Sequence, residues 1–307
     1  MRIRHIALLL PVLALAGCED FDLGGVMDRY REDFHYDYAL NPGATVEIEN
    51  SNGSIDISGW DKDSIDIDGT KYAGSEAHLR AIHIQIDHSA DSISIRTVID
   101  SGWRGNAGAK YIVRVPRKAE LRNVASSNGA IRVESIDGEV RLKTSNGSIH
   151  ADAIHGLLDA HTSNGSLEVA DVSGDTTLRT TNGAIRADVR KGRFEATTSN
   201  GTITAHLMEA DSHPVRLESS NGRIDLTLDA AREVHAGTSN SSITLHMPGS
   251  IGADLHAHTS NASITSDFDV SVHGGMLSKH NLDGTIGSGG PLIDLGTSNG
   301  SIRILRL

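Results

Sequence analysis

Sixteen histidines are distributed along the 307-residue chain, and one group of them has the residue types of a metal site. When the repeats described below are aligned by their asparagines, His235 and His256 occupy one position, while Glu218 and His258 occupy another two residues further on. Imidazole nitrogens and a carboxylate are ligands that Zn²⁺ takes in proteins. A zinc site formed by Glu218, His235, His256 and His258 is therefore one interpretation. The favoured interpretation is a run of ordinary surface histidines.

The chain is predicted not to be an enzyme and to use no cofactor. It contains neither a phosphate-binding glycine loop nor a His-Glu-x-x-His metalloprotease motif. Pectate-lyase-like enzymes of solenoid architecture cluster Asp ligands for calcium, whereas the corresponding outward position here varies in charge. Its residues are Arg132, His150, Glu168, Arg186, Thr204 and Asp225. Mixed signs along neighbouring strands are typical of a solvated face.

The single cysteine, Cys18, has the context of a lipidation site. Arg2 and Arg4 precede an apolar run from Ile6 to Leu15, which is too short to span a bilayer as a helix. This pattern predicts a cleaved secretory signal peptide. Its end, Leu-Ala-Gly-Cys, resembles the bacterial lipobox, which implies that Cys18 is acylated and becomes the new N-terminus. Several acyl chains supply the multiple anchors that stable membrane attachment requires.

The charge balance bears on the choice of partner. The formal net charge is −12, and it becomes −14 when Arg2 and Arg4 leave with the signal peptide. Recognition of a phosphate backbone depends on clustered Lys and Arg, so nucleic acid is not expected as a partner. The expected partners are the membrane, through the lipid anchor, and an unidentified protein or glycan.

An internal repeat determines the predicted architecture. A Ser/Thr-Asn-Gly-x-Ile unit recurs with spacings of 18 residues in its regular part, and the third residue after each Asn is a large aliphatic. The ten asparagines are Asn52, Asn128, Asn146, Asn164, Asn182, Asn200, Asn221, Asn240, Asn261 and Asn299. Apolar and polar residues alternate between them, which predicts two strands per repeat.

Two arrangements of these strands agree with the pattern. Asn-Gly between alternating strands is a strong hairpin signal and would give an antiparallel meander. A parallel β-solenoid is favoured, because a coil closes its two apolar faces on each other and allows identical side chains to bond along the axis. The corners are expected to exploit the tolerance of Asn and Gly for positive φ. The corners predicted for the regular repeats are Asn128 and Gly129, Asn146 and Gly147, Asn164 and Gly165, Asn182 and Gly183, and Asn200 and Gly201.

The sequence therefore predicts an all-β protein with four parts. Residues 1–17 form the signal peptide, and residues 18–33 carry the lipidated cysteine and an acidic tether. Residues 34–122 form an irregular N-terminal solenoid or cap. Nine of the eleven aromatic residues of the chain lie before residue 112, which favours a cap at this end. Residues 123–307 form the regular solenoid.

The chain resembles the bacterial β-strand-repeat family labelled putative adhesins, a domain family of unknown function. The resemblance rests on Val46-Glu47-Ile48, on Tyr111 to Pro116 and on the Asn-Gly-x-Ile series, and it covers roughly residues 40–307. Two repeats depart from the pattern, because Ser241 and Ala262 replace the glycine. The family implies a β-solenoid and suggests adhesion, and it supplies no catalytic residues.

Three functions follow as hypotheses. The first is a non-catalytic envelope lipoprotein, held to the outer membrane by its lipid, that presents a rigid solenoid as an adhesin or scaffold. The second is a periplasm-facing sensor or accessory protein of envelope-stress signalling. The third, with the least support, is an enzyme acting on polysaccharides. Orientation relative to the membrane distinguishes the first two.

Overall fold

The structure is a computed structural model that describes residues 30–100, 107–272 and 278–307. The predicted signal peptide, Cys18 and most of the predicted tether lie outside these residues. The first strand begins at Tyr30, so the last four residues assigned to the tether are part of the fold. The boundary expected between residues 122 and 123 falls inside a strand, and the cap and the regular solenoid share their sheets.

The described residues contain one short helix and 27 strands in two sheets of 13 and 14 strands. The N-terminal elements are β1 (Tyr30–Ala39), β2 (Thr45–Asn50), β3 (Ile55–Trp60), β4 (Ser64–Ala73), α1 (Glu76–Arg80), β5 (Ile82–His88), β6 (Ser92–Ile99), β7 (Gly108–Pro116) and β8 (Glu120–Ser126). The regular strands are β9 (Ile131–Ile136), β10 (Val140–Thr144), β11 (Ile149–His155), β12 (Leu158–His161), β13 (Leu167–Ser173), β14 (Thr176–Arg179), β15 (Ile185–Lys191), β16 (Phe194–Thr198), β17 (Ile203–Leu207), β18 (Val215–Ser219), β19 (Ile224–Leu228), β20 (Val234–Thr238) and β21 (Ile243–Met247). The C-terminal strands are β22 (Ala253–Thr259), β23 (Ile264–Ser266), β24 (Val270–Val272), β25 (Asn281–Ile286), β26 (Leu292–Thr297) and β27 (Ile302–Arg306).

The predicted β-solenoid is confirmed. Equivalent strands of successive repeats pair in parallel and in register, so that Ile149 lies between Ile131 and Leu167. An antiparallel meander would instead pair the two strands within a repeat. The inward side chains of the two sheets meet in one continuous core, where Ile149, Phe194 and Leu217 are fully buried.

A ladder of side-chain amides follows one corner of the solenoid. The Asn146 amide nitrogen donates to the Asn128 carbonyl oxygen at 2.7 Å, and Asn164 donates to Asn146 at 2.8 Å. Nine such bonds of 2.7–2.8 Å join all ten predicted asparagines. Each of the eight inner amides thus acts as donor to one neighbour and acceptor from the other, which is the ladder that the repeat predicts.

Threonine hydroxyls were expected to bond to their copies in the next repeat, and this detail is wrong. The buried Thr162 hydroxyl donates to the carbonyl oxygen of Gly147 at 2.9 Å and accepts from the Gly165 amide at 3.2 Å. The same bonds recur at Thr144, Thr180 and Thr198. The hydroxyl is therefore a bridge between two neighbouring corners, and it satisfies backbone groups that would otherwise be buried without a partner.

The reason for glycine at these corners also differs from the expectation. Gly129, Gly147, Gly165, Gly183 and Gly201 do not have positive φ, and neither do the asparagines before them. Instead, a Cβ on Gly183 would lie 1.7 Å from the carbonyl oxygen of Gly165. At these five corners a Cβ would clash with the carbonyl oxygen of the neighbouring corner, so close contact rather than positive φ accounts for the glycine there.

Stacking order departs from sequence order at both ends. The strands β26 and β27 insert between the β20–β21 pair and the β22–β23 pair, so Asn299 lies between Asn240 and Asn261. At the other end, β2 and β3 lie between β6–β7 and β8–β9. The sequence does not indicate either insertion, because the inserted repeats have the same local pattern as the others.

Antiparallel strands form the N-terminal cap. The strand β4 pairs with both β1 and β7, and β5 pairs with β6. The inward side chains of β1, namely Phe34, Tyr36 and Tyr38, pack in a row against the core. Their outward neighbours on the same strand are charged or ionisable, and this alternation positions the site described next.

Candidate functional site

The four residues of the predicted zinc site do not come together. The strand β26 lies between β20 and β22, so His235 and His256 each face Asp294 and are two strands apart. The His235 Nδ1 lies 3.4 Å from Asp294 and its Nε2 lies 2.8 Å from Glu233. The prediction is corrected for this physical reason: aligning the repeats assumed that consecutive repeats are neighbours in space.

Glu218 and His258 lie on opposite sides of an open trough on the outer face of the second sheet. The register across four strands runs from Glu218 through Gly237 and Gly296 to His258. The trough has a volume of about 530 Å³. The His258 Nδ1 is bonded to the Asn281 side chain at 2.5 Å. None of these contacts brings Glu218 to His258.

Gly296 to Gly300 has the spacing of a Gly-x-Ser-x-Gly hydrolase motif, which the sequence analysis did not identify. In hydrolases that motif lies on a turn from a strand to a helix, where the serine is exposed at the top of a sheet. Here it connects β26 to β27 at a solenoid corner, and Asn299 of the motif belongs to the amide ladder. The motif is therefore explained by the repeat.

A different group of side chains forms the best-defined candidate site, here called the N-terminal patch. It comprises His35, Asp66, Asp68, Ile112 and Arg114, all on the outer face of β1, β4 and β7. In the sequence, Asp66 and Asp68 belong with Asp61 and Asp63 to an acidic run that could bind calcium but lacks EF-hand spacing. A solvated edge is the favoured interpretation of this run, and His35 is not part of it. The sequence feature that could have identified His35 is the alternation in β1, in which aromatic residues point inward and Asp33, His35 and Asp37 point outward.

Hydrogen bonds hold the polar members of the patch together. The His35 Nδ1 lies 2.8 Å from Asp68 Oδ1. The Arg114 Nη2 donates to Asp66 at 3.2 Å and to Asp68 at 3.3 Å. The bond between His35 and Asp68 raises the pKa of the imidazole and lowers the pKa of the carboxyl. Each group thus favours the charged form of the other.

The patch adjoins an open depression, and the exposed apolar residue Ile112 forms part of its wall. The depression has a volume of about 550 Å³, and Asp56, Thr70 and Lys110 contribute to its walls. Ile112 is 58 % exposed although it lies in a central strand of the cap. A single exposed aliphatic is common on protein surfaces and does not by itself mark a binding site. The depression therefore presents mainly charged and polar side chains, with Ile112 beside them.

Three side chains of the patch have the geometry of metal ligands. Ligand atoms of His35, Asp66 and Asp68 all lie within 4.8 Å of one another, and no other His, Cys, Asp or Glu group of three does so in residues 30–100, 107–272 and 278–307. The site is thus distinct from the predicted zinc site, which lies at the opposite end of the solenoid.

The comparisons with known proteins concern the fold. The family model described as Toastrack DUF4097 matches residues 36–236. No curated protein matches the chain significantly. No helix among the described residues is long and apolar enough to cross a membrane.

Solved structures give weaker matches. A putative adhesin from Parabacteroides merdae is 10 % identical, with a TM-score of 0.34 and coverage of 89 % of this chain and 96 % of that chain. A putative adhesin from Bacteroides fragilis is 12 % identical, with a TM-score of 0.28 and coverage of 89 % and 97 %. A putative cell adhesion protein from Clostridium sporogenes is 12 % identical, with a TM-score of 0.23 and coverage of 90 % and 100 %.

Proposed function

We propose that this chain, which belongs to the Toastrack DUF4097 family, is a non-catalytic lipoprotein of the bacterial envelope that presents a rigid solenoid to a partner. The domains of this family have no assigned function. The observation that carries this proposal is the unbroken amide ladder, which joins ten repeats with nearly equal bonds. A ladder without a break favours one stiff body with two long outer faces.

The position of the first strand supports attachment through Cys18. Eleven residues lie between Cys18 and the start of β1 at Tyr30. A fully extended chain spans at most about 3.6 Å per residue, so an anchored N-terminal cap would lie within about 45 Å of the membrane. The N-terminal patch would then face the envelope, and the trough beside Gly296 would lie at the distant end.

The chemistry of the outer faces favours a protein or glycan partner. The charges alternate in sign and many are paired across strands, as His155 is with Asp137 and Arg190 is with Asp171. The net charge of −12 disfavours nucleic acid. Paired charges and exposed hydroxyls recognise a polar ligand by complementary hydrogen bonds rather than by net charge.

The anchor is tested with Cys18→Ala and a palmitate analogue that can be labelled in cells. We expect the native protein to take up the label and to sediment with membranes, and the variant to do neither. Equal sedimentation without label in both proteins would overturn the lipid anchor.

Orientation is tested with an epitope inserted after Ser250, which is exposed and far from the cap. We expect antibody to bind intact cells, which would support adhesion at the surface. Labelling only after the outer membrane is opened would overturn surface presentation and support the sensor or scaffold of the periplasm. A periplasmic marker stained in parallel controls for the integrity of the cells.

A further inference from the structure

Four ionisable side chains on the outer face of β1 and β4 form two directly opposed pairs. His35 lies directly opposite Asp68, and Asp37 lies directly opposite Asp66. Two carboxylates that face each other across antiparallel strands are destabilising unless a positive charge compensates them. Three carboxylates and one imidazole on two neighbouring strands therefore form a position at which a cation would stabilise the cap.

We propose that His35, Asp66 and Asp68 bind a divalent transition-metal ion, with Zn²⁺ as the best match. Their ligand atoms lie within 4.8 Å of one another. Atoms that share a tetrahedral zinc ion at bond lengths of about 2.1 Å are roughly 3.4 Å apart, so shifts of about 1 Å bring them into position. The side chains are 54 %, 19 % and 43 % exposed, respectively, which leaves them free to make such shifts.

The ligand types select the metal. An imidazole with two carboxylates is a combination that zinc accepts, whereas calcium takes six to eight oxygen ligands. The fourth position of a tetrahedral ion would be open to water or to Asp37, which lies opposite Asp66. The site is independent of the lipid anchor, because all of its ligands belong to the folded cap.

Arg114 occupies the place of the cation in the structure. Its guanidinium contacts both carboxylates at 3.2 and 3.3 Å. It also lies over the ring of Trp60, with 5.5 Å between Cζ and the ring centroid. When a metal ion binds, the guanidinium can keep the contact with Trp60 and release the carboxylates. Arg114 is therefore a competitor of the metal, and its removal is expected to tighten binding.

The test is isothermal titration of ZnCl₂ into the full chain, purified from membranes in detergent and freed of metal with EDTA. We expect the first equivalent of Zn²⁺ to bind more tightly than any further Zn²⁺. His35→Gln and Asp68→Asn should each weaken this step by at least about tenfold. Arg114→Ala should strengthen it several-fold. Thermal melts of each variant show whether it is folded, and zinc should raise the Tm of the native chain but not of His35→Gln.

His155→Gln is the matched control. His155 and Asp137 make the same 2.8 Å contact as His35 and Asp68, with side-chain exposures of 54 % and 40 %, but they belong to no group of three ligands. This variant should bind the tight equivalent as the native chain does. Unchanged affinity in folded His35→Gln, an equal loss in His155→Gln, or weaker binding in Arg114→Ala would each overturn the proposal.

Discussion

Arg232 is the largest fully buried side chain among the described residues, and it lies in the turn between β19 and β20. Its guanidinium donates to the carbonyl oxygens of Gly192 and His213, which belong to two neighbouring repeats. Burial lowers the pKa of Arg232, and the charge of Asp211 opposes this shift. Asp211 lies in the repeat that lengthens to 21 residues, between Asn200 and Asn221, and Arg232 lies in the next repeat, which has 19 residues.

Asp211 makes the surroundings of Arg232 sensitive to acid. Burial alone would raise the pKa of Asp211, but hydrogen bonds from the amides of His213 and Gly192, together with the charge of Arg232, lower it to about 2. Because the folded pKa lies below the ordinary value of 3.8, the contribution to stability is complete above that value and is lost as the pH falls from there through the folded pKa of about 2.

We therefore expect Asp211→Asn to reduce the free energy of unfolding by about 2 kcal/mol at pH 7, and by roughly half as much at pH 3. Guanidinium unfolding of both proteins at the two pH values measures the difference. A loss that is the same at pH 7 and pH 3 would show that the effect comes from packing and not from the charge of Asp211.

Two glycines allow the corner contacts to be tested at single residues. A Cβ at Gly183 would lie 1.7 Å from the carbonyl oxygen of Gly165, whereas a Cβ at Gly296 would have nothing within 4 Å. We expect Gly183→Ala to cost more than about 3 kcal/mol, because two stacked corners would have to separate. Gly296→Ala should be neutral or stabilising by up to about 1 kcal/mol. Urea melts that give similar losses for both variants would contradict the contact argument.

At the scale of the element, each Asn-Gly corner depends on the hydrogen bonds of a buried threonine hydroxyl. Thr162→Val keeps the shape of the side chain but leaves the Gly147 carbonyl and the Gly165 amide without their partner. We expect a loss of about 2–4 kcal/mol, since each buried unpaired group costs about 1–3 kcal/mol. The control is Thr197→Val on the exposed face of β16, which should be within about 0.5 kcal/mol of the native chain. Chemical unfolding compares the two.

The strands could be predicted from the sequence because their signals are local. The alternation in Ile149-His150-Ala151-Asp152 is visible in the chain itself, and the structure buries Ile149 and Ala151. The position of Glu218 relative to His258 was not predictable in this way. It depends on which repeat fills the space between them, and Asn299 has the same neighbours in sequence as Asn146.

The N-terminal patch was missed for a related reason. His35 and Asp68 are 33 residues apart and meet through antiparallel pairing, which the 18-residue period does not describe. The alternation within β1 gives the outward direction of His35, but only the register with β4 supplies its partners. Pairing in the cap is tertiary information, whereas pairing in the regular part follows from the repeat.

At the scale of the whole molecule, the stacking order and the sequence order lead to opposite predictions about which of two asparagines contributes more to stability. Asn299 is the last repeat in the chain but is bonded on both sides, to Asn240 and to Asn261, each at 2.8 Å. Asn261 ends the ladder. We expect Asn299→Ala to cost about 1–2 kcal/mol and Asn261→Ala about half of that. Thermal melts of the two variants measure this difference, and a larger loss for Asn261→Ala would contradict the insertion of β26 and β27.

The insertion of β26 and β27 also determines the order in which the last strands can pair during folding. The chain is synthesised from its N-terminus, so β22 and β23 are made before β26 and β27, which then pair in the gap between β20–β21 and β22–β23. Until then the gap exposes four strand edges, which are templates for pairing with other chains. Closure of this gap is therefore a late step in folding, and it covers edges that a solenoid stacked strictly in sequence order would not leave in its interior.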